Sequence, residues 1–263
     1  DGRTLYPGSD FPDEFGGPNA LGTTINIPLP PETSDEGFLY VLEELILPIL
    51  GEFKPDLVIN SAGQDNHYTD PITNMRFSAQ GYARLNERLN PDIAVLEGGY
   101  SIEGALPYVN VGIILAMAGL DYSHVREPDY NPETIRQSDD ITRYIKGMTK
   151  DVLDLWKKRR TFKPEIVKGA RYARRNRSIY YDTDGIREQQ EETVRICDDC
   201  GGFIAIDSMA STGNRAYAVI IPGRSCDLCR LEGQRHYGSI DKAKLGAHYL
   251  ILQDRDRDEY IVR

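Results

Sequence analysis

The 263-residue chain carries 31 Lys+Arg against 41 Asp+Glu, a formal net charge of −10, and 40% hydrophobic residues. That supports a soluble globular protein with one large domain and a smaller one. No apolar run approaches the roughly 20 residues needed to cross a bilayer. The first residues show no basic-apolar signal pattern, so no membrane partner and a cytoplasmic location are expected.

Charge is spread unevenly. Residues 1–126 hold 6 Lys+Arg against 18 Asp+Glu, whereas residues 127–263 hold 25 against 23. The shift coincides with "REPDYNPET", where two prolines and polar residues cluster, and this predicts a domain boundary.

Before the boundary, residues 1–22 are rich in Gly, Pro and Asp and read as loop. "GTTINIPLP" predicts a short β-branched strand. Thr33 and Glu36 have capping-box spacing, and "EGFLYVLEELILPIL" carries apolar residues at helical intervals until Pro48, which is expected to interrupt the helix. "DLVINSAG" and "DIAVLEGGY" are apolar runs of buried-strand type. Between them, "SAQGYARLNERLN" reads as a helix started by Ser78, and a further helix is expected over roughly Ile102–Leu120. Strand, helix, strand, helix with apolar strands predicts an α/β domain with a parallel sheet.

Sites in such domains sit at the carboxyl ends of strands. Asp65 and Tyr100 both fall just past such ends. A carboxylate beside a phenol suits a metal plus a hydrogen-bond donor, and Gly98 and Gly99 would allow close backbone approach. The plainer alternative is a loop-capping Asp and a packed turn Tyr.

The motifs "DGRTLYPGSDF", "NIPLPPETSDEGF", "SAGQDNHYTDP" and "LEGGYSIEGALP", in that order, resemble the second half of the zinc-dependent histone deacetylase, acetoin-utilisation and acetylpolyamine amidohydrolase family. The resemblance covers roughly residues 1–125. It implies an arginase-like α/β fold, an acetyl-lysine or acylamine substrate in a narrow tunnel, and water as nucleophile. It also implies that Asp65 is one of three ligands to a catalytic zinc and that Tyr100 polarises the acetyl carbonyl. Tyr6, Ile72, Gly98 and Gly99 would line the tunnel. Some polyamine-preferring relatives carry a Glu at the Ile72 position, so Ile72 favours acyl-lysine over a charged polyamine. His67 and Asp70 are candidates for supporting roles behind the ligand, Asp70 as organiser of the turn before Pro71. Gln64 departs from the aromatic or apolar residue common at its position.

The family's other two zinc ligands and its adjacent His-His pair have no counterpart here, where the histidines are His67, His124, His236 and His248. The expectation is an incomplete catalytic zinc site, inactive by itself and needing an N-terminal complementing segment or chain. The first strands of the sheet would also be missing, leaving an apolar edge exposed.

Beyond the boundary, residues 127–190 read as a helical, basic connector containing Trp156 and the runs "KKRR" and "RYARRNR". A solvated helix face is expected, with nucleic acid or an acidic partner as the lesser reading. In residues 191–263, Cys197 and Cys200 ("CDDC") and Cys226 and Cys229 ("CDLC") form two CxxC knuckles flanking "FIAIDSM" and "AYAVIIPG", which alternate like hairpin strands. Four thiolates in this spacing predict a structural zinc in a small, β-rich, zinc-ribbon-like domain, with two disulfides as the alternative. "GAHYLILQ" and "DEYIVR" read as further strands. Two functions are therefore expected as alternatives: a zinc-dependent deacetylase, or a partner- or nucleic-acid-binding module built on a deacetylase-like scaffold.

Overall fold

The computed structural model describes residues 11–12, 14–166, 171–181 and 184–263. By contacts it divides into two units. One holds Leu29–Asp154, and the other holds Leu155–Arg263 together with the described residues up to Pro28.

In the first unit, α1 (Asp35–Val41) runs into a π-helical turn (Leu42–Ile46) and continues as α2 (Leu47–Phe53). Pro48 therefore does not stop the helix. A proline lacks an N–H and its ring crowds the carbonyl four residues back, and the wide turn just before it relieves that conflict. Leu47 N–H accordingly bonds Leu42 O, five residues back. The Thr33–Glu36 capping box does not form, because the Thr33 hydroxyl donates to Pro30 O. A remote side chain caps α1 instead: Gln137 Oε1 accepts from Ser34 N (3.1 Å), Ser34 Oγ (3.2 Å) and Gly37 N (3.1 Å). The strand expected in "GTTINIPLP" is absent. Residues 24–30 pair with no ladder, and Pro28 and Pro30 remove two of the donors a ladder would need.

β1 (Ile59–Ala62) and β2 (Ile93–Leu96) pair in parallel with Ile59 opposite Ile93. The helix between them, α3 (Ala79–Leu89), starts as expected at Ser78, whose hydroxyl accepts from Gly81 N at 3.0 Å. After β2 comes α4 (Leu106–Met117), led by Pro107 in its first turn. Ala62, Phe77, Tyr82, Ala105, Val109 and Ile113 form the core of this unit, with Ala94 packed against it. Residues alternate faces along a strand. Ile59, Ile93 and Val95 thus lie on the other face, and they are exposed, as are Leu96, Ile114 and Leu120. The two apolar runs are strands but not buried ones, because the sheet has two strands and its helices contribute to a core on one face.

α5 (Asp139–Ile166) buries Ile145, Val152 and Trp156. The second unit is built on a six-stranded sheet in the order β3 (Tyr172–Tyr181), β4 (Ile186–Arg195), β5 (Ile204–Ala210), β6 (Arg215–Ile221), β7 (Tyr249–Asp254) and β8 (Glu259–Val262). All neighbours are antiparallel except β6 and β7, which run parallel and are connected through α6 (Asp227–Ser239) and the short α7 (Lys242–Leu245). Such a crossover needs a helix-length connection, which α6 supplies. The basic run Arg171–Arg177, expected on a helix face, lies largely on β3 and mostly faces solvent. Phe203, Ala205, Val219, Ile221, Tyr237, Leu250 and Leu252 form this unit's core.

Candidate functional site

The loop after β1 carries Asp65, and the loop after β2 carries Tyr100. Their convergence is measured at Gly98. A methyl group placed on that glycine would lie 2.7 Å from an Asp65 carboxylate oxygen and 3.6 Å from the Tyr100 hydroxyl. Any side chain at position 98 would therefore intrude between carboxylate and phenol. Gly99 has φ +149°, and a Cβ there would lie 2.9 Å from Gln64 Cβ.

Several hydrogen bonds tie the loops together. Gln64 N donates to Gly98 O (2.6 Å), and Thr73 Oγ1 donates to the Asp65 carbonyl. Buried Asp70 accepts from Ile72 N through one carboxylate oxygen (2.9 Å) and from Tyr100 N through the other (2.8 Å). It thus holds two sequence-predicted site residues, Ile72 and Tyr100, and does more than shape a local turn. Ile72 and Tyr100 are both more than half exposed. Tyr6 lies outside the described residues. Burial pushes the Asp65 carboxyl above the usual carboxylate range, and the nearby Asp70 charge adds to that push.

His67 is fully buried. Its Nε2 lies 2.6 Å from Glu127 Oε1, which also accepts Ala79 N–H at 2.6 Å. Its Nδ1 receives Thr69 N–H (3.2 Å) and lies 2.9 Å from Thr69 Oγ1. With both nitrogens engaged, the ring turns toward Glu127 and Thr69 and offers no free atom to a metal. Burial raises the Glu127 pKa, but the hydrogen bonds from His67 and Ala79 outweigh it and hold the carboxyl below its ordinary range. Sequence reasoning missed Glu127, Thr69, Ser101 and Asn110. Gln64 was the available signal: a polar residue where an apolar one was expected, it is fully buried and donates to Asn110 Oδ1 on α4.

A catalytic zinc usually takes three protein ligands. Asp65 would supply one, and among the described residues the cysteine quartet is the one group of three or more metal-ligating side chains brought together. These residues alone do not fit a catalytic zinc.

The cysteines do fit a metal. The four Sγ atoms of Cys197, Cys200, Cys226 and Cys229 lie within 4.8 Å of one another, and all four are free thiols. A tetrahedron with metal–sulfur bonds of about 2.3 Å needs sulfurs about 3.8 Å apart, a small contraction. "CDDC" follows β4 as a turn, whereas "CDLC" opens α6 with Cys226 as N-cap, so the second knuckle is a helix start and not a ribbon turn. A bond from Asp199 N–H, with help from the other thiols, lowers Cys197 to about 7. Burial and the neighbouring thiols push Cys229 upward. Asn19 laces the first knuckle: its Nδ2 donates to Arg195 O (2.9 Å) and Gly201 O (3.0 Å), and its Oδ1 accepts Cys197 N–H (3.1 Å). A cavity of about 820 Å³ beside it, lined by Phe15, Pro18, Leu155, Ala173, Val194 and Ile204, contains neither Asp65 nor Tyr100.

Residues 1–110 match the histone deacetylase domain model. A protein of Archaeoglobus fulgidus named "Probable deacetylase" is 50% identical over 159 residues, covering 56% of this chain and 44% of that protein. The acetoin utilization protein AcuC of Bacillus subtilis is 33% identical over 138 residues, covering 49% of this chain and 36% of that protein. The crystal structure of an acetylpolyamine aminohydrolase from Burkholderia pseudomallei is 30% identical, with a TM-score of 0.42 over 46% of this chain and 36% of that one. The chain spans less than half the length of the curated relatives it matches. Residues 1–110 are thus similar to the histone deacetylase domain family.

Proposed function

We propose that this chain contributes to an amide hydrolase that removes the acyl group from acetyl-lysine or a related acylamine. The convergence of Asp65 and Tyr100 over Gly98, within a segment of the deacetylase family, carries the reading. In it, Tyr100 donates a hydrogen bond to the acetyl carbonyl as negative charge develops on its oxygen, Asp65 supplies one ligand, and the loop glycines let the acyl group approach the backbone. When bound, a catalytic zinc would supply Lewis-acid polarisation and an acidified water. The remaining ligands and the His-His pair must come from outside the described residues, so residues 1–263 alone do not turn over substrate in this reading. Ile72, exposed and uncharged, favours acyl-lysine over a cationic polyamine.

The cysteine quartet is assigned a structural zinc, because four sulfurs leave no open coordination position. Two measurements test the reading. Residues 1–263 should bind one zinc per chain, lost in Cys197→Ser, and should hydrolyse an acetyl-lysine peptide at the background rate. Two zincs, or turnover by this chain, would refute the incompleteness. In protein that also carries the Asp-x-His and His-His motifs, Tyr100→Phe should lower turnover about 10²- to 10³-fold, the cost of one oxyanion donor. An unchanged rate there would remove Tyr100 from the chemistry.

A further inference from the structure

The Tyr100 side chain is more than half exposed, and among the described residues its hydroxyl makes no hydrogen bond. Its aim is therefore set by the backbone that carries it. On the N-terminal side, that backbone is fixed by Asp70 at the Tyr100 amide and by Gln64 at Gly98 O. On the C-terminal side, the Ser101 carbonyl accepts Ala105 N (3.0 Å) and Leu106 N (3.2 Å), while the Ser101 hydroxyl meets Thr69 Oγ1 at 2.6 Å.

The donors and acceptors of the chain beyond Ser101 fall into one order. Thr69 N–H points at His67 Nδ1, so that nitrogen is the acceptor and Nε2 carries the hydrogen given to Glu127. Thr69 O–H can then donate to Nδ1 and accept Ser101 O–H. All donors run inward, from the half-buried Ser101 and exposed Thr69 to a carboxylate that also holds the first amide of α3. The His67–Glu127 bond at its inner end lies between fully buried side chains, where a hydrogen bond is strong and holds its partners in place, and Thr69 is the exposed end.

We propose that Thr69 and Ser101 are positioning residues for Tyr100: the hydrogen bond between their hydroxyls extends the rigidity of the buried Glu127–His67 pair to the loop that aims the phenol. The catalytic consequence rests on the deacetylase reading above, and the loop clamp does not. Without the clamp, Tyr100 samples orientations in which its hydroxyl misses the carbonyl oxygen, and a donor held off its productive geometry loses most of its value.

Thr69→Val tests this with least risk to folding, because the residue is exposed and the exchange preserves shape. Hydrogen–deuterium exchange on the 263-residue chain should show the amides of Tyr100–Ala105 exchanging about 2- to 10-fold faster in Thr69→Val, the span expected for one neutral hydrogen bond. Thr69→Ser should match the parent, and α3 should be unchanged in both variants. Equal exchange of Tyr100–Ala105 in parent and Thr69→Val overturns the clamp. In protein with deacetylase activity, Thr69→Val should lower kcat with KM unchanged, and Thr69→Ser should restore kcat. A raised KM with unaltered kcat would make Thr69 a substrate contact and overturn the positioning role. If the deacetylase reading itself fails, that failure is seen separately, as turnover indifferent to Tyr100→Phe, while the exchange result stands.

Discussion

Glu127 lies beyond residues 1–110, which match the histone deacetylase domain model, yet the first unit should depend on it heavily. Its Oε1 is the acceptor for both His67 Nε2 and Ala79 N–H, and the side chains of the pair are 0% and 1% exposed. Glu127→Ala strands two buried donors. At about 1–3 kcal/mol each, the loss is roughly 2–6 kcal/mol, in line with the about 3–5 kcal/mol typical of breaking a buried pair. For a unit of this size that lowers Tm by on the order of 10 °C, readable by differential scanning calorimetry. Glu127→Gln keeps the accepting oxygen but places an amide where Oε2 has no partner, and should lose less. Because the folded pKa of Glu127 is lowered, its contribution is present above the unfolded glutamate pKa and is lost as pH falls through the lowered value. The acid limb of stability should therefore flatten in Glu127→Ala. A shift under about 2 °C at neutral pH would refute the reasoning, showing that the stranded donors find other partners.

Other perturbations separate the remaining links. Gln137→Ala uncaps α1, and should destabilise the first unit by about 1–2 kcal/mol in urea unfolding with the m-value unchanged. Asn19→Ala removes three bonds between the residues before Pro28 and the first cysteine knuckle, and should speed limited proteolysis near Asn19 while leaving zinc stoichiometry at one. Burial raises the pKa of Glu232, but bonds from Tyr172 and Arg195 hold it below the ordinary range. Its stabilisation should likewise vanish as pH falls through that lowered value, and Glu232→Gln should flatten the acid limb of the second unit.

Much of the fold was legible where local chemistry decides it. Ser78 before an amphipathic run marked α3, and the alternation in "FIAIDSM" and "AYAVIIPG" marked β5 and β6. Legibility failed where a distant residue decides. Thr33 and Glu36 have the right spacing for a cap, but Gln137, about a hundred residues away, takes that role. Pro48 reads as a helix end because a π turn leaves no mark in periodicity. The candidate site was half legible for the same reason: Asp65 and Tyr100 follow strand ends, whereas Glu127 is tied to His67 only through space. The burial of the two parallel strands was misread because an apolar run reports composition and not what covers it.

The lacing of Asn19 to the first cysteine knuckle also sets a timetable. The two residues are 178 positions apart, with the whole first unit between them. At about 5–20 residues per second, Asn19 is synthesised roughly 10 to 35 s before Cys197. During that interval the first unit can fold while the residues before Pro28 wait without their partners. The second unit can close only when its cysteines emerge, so its assembly is a late, long-range event, and a chaperone or an early-binding ligand would find those leading residues unclaimed until then.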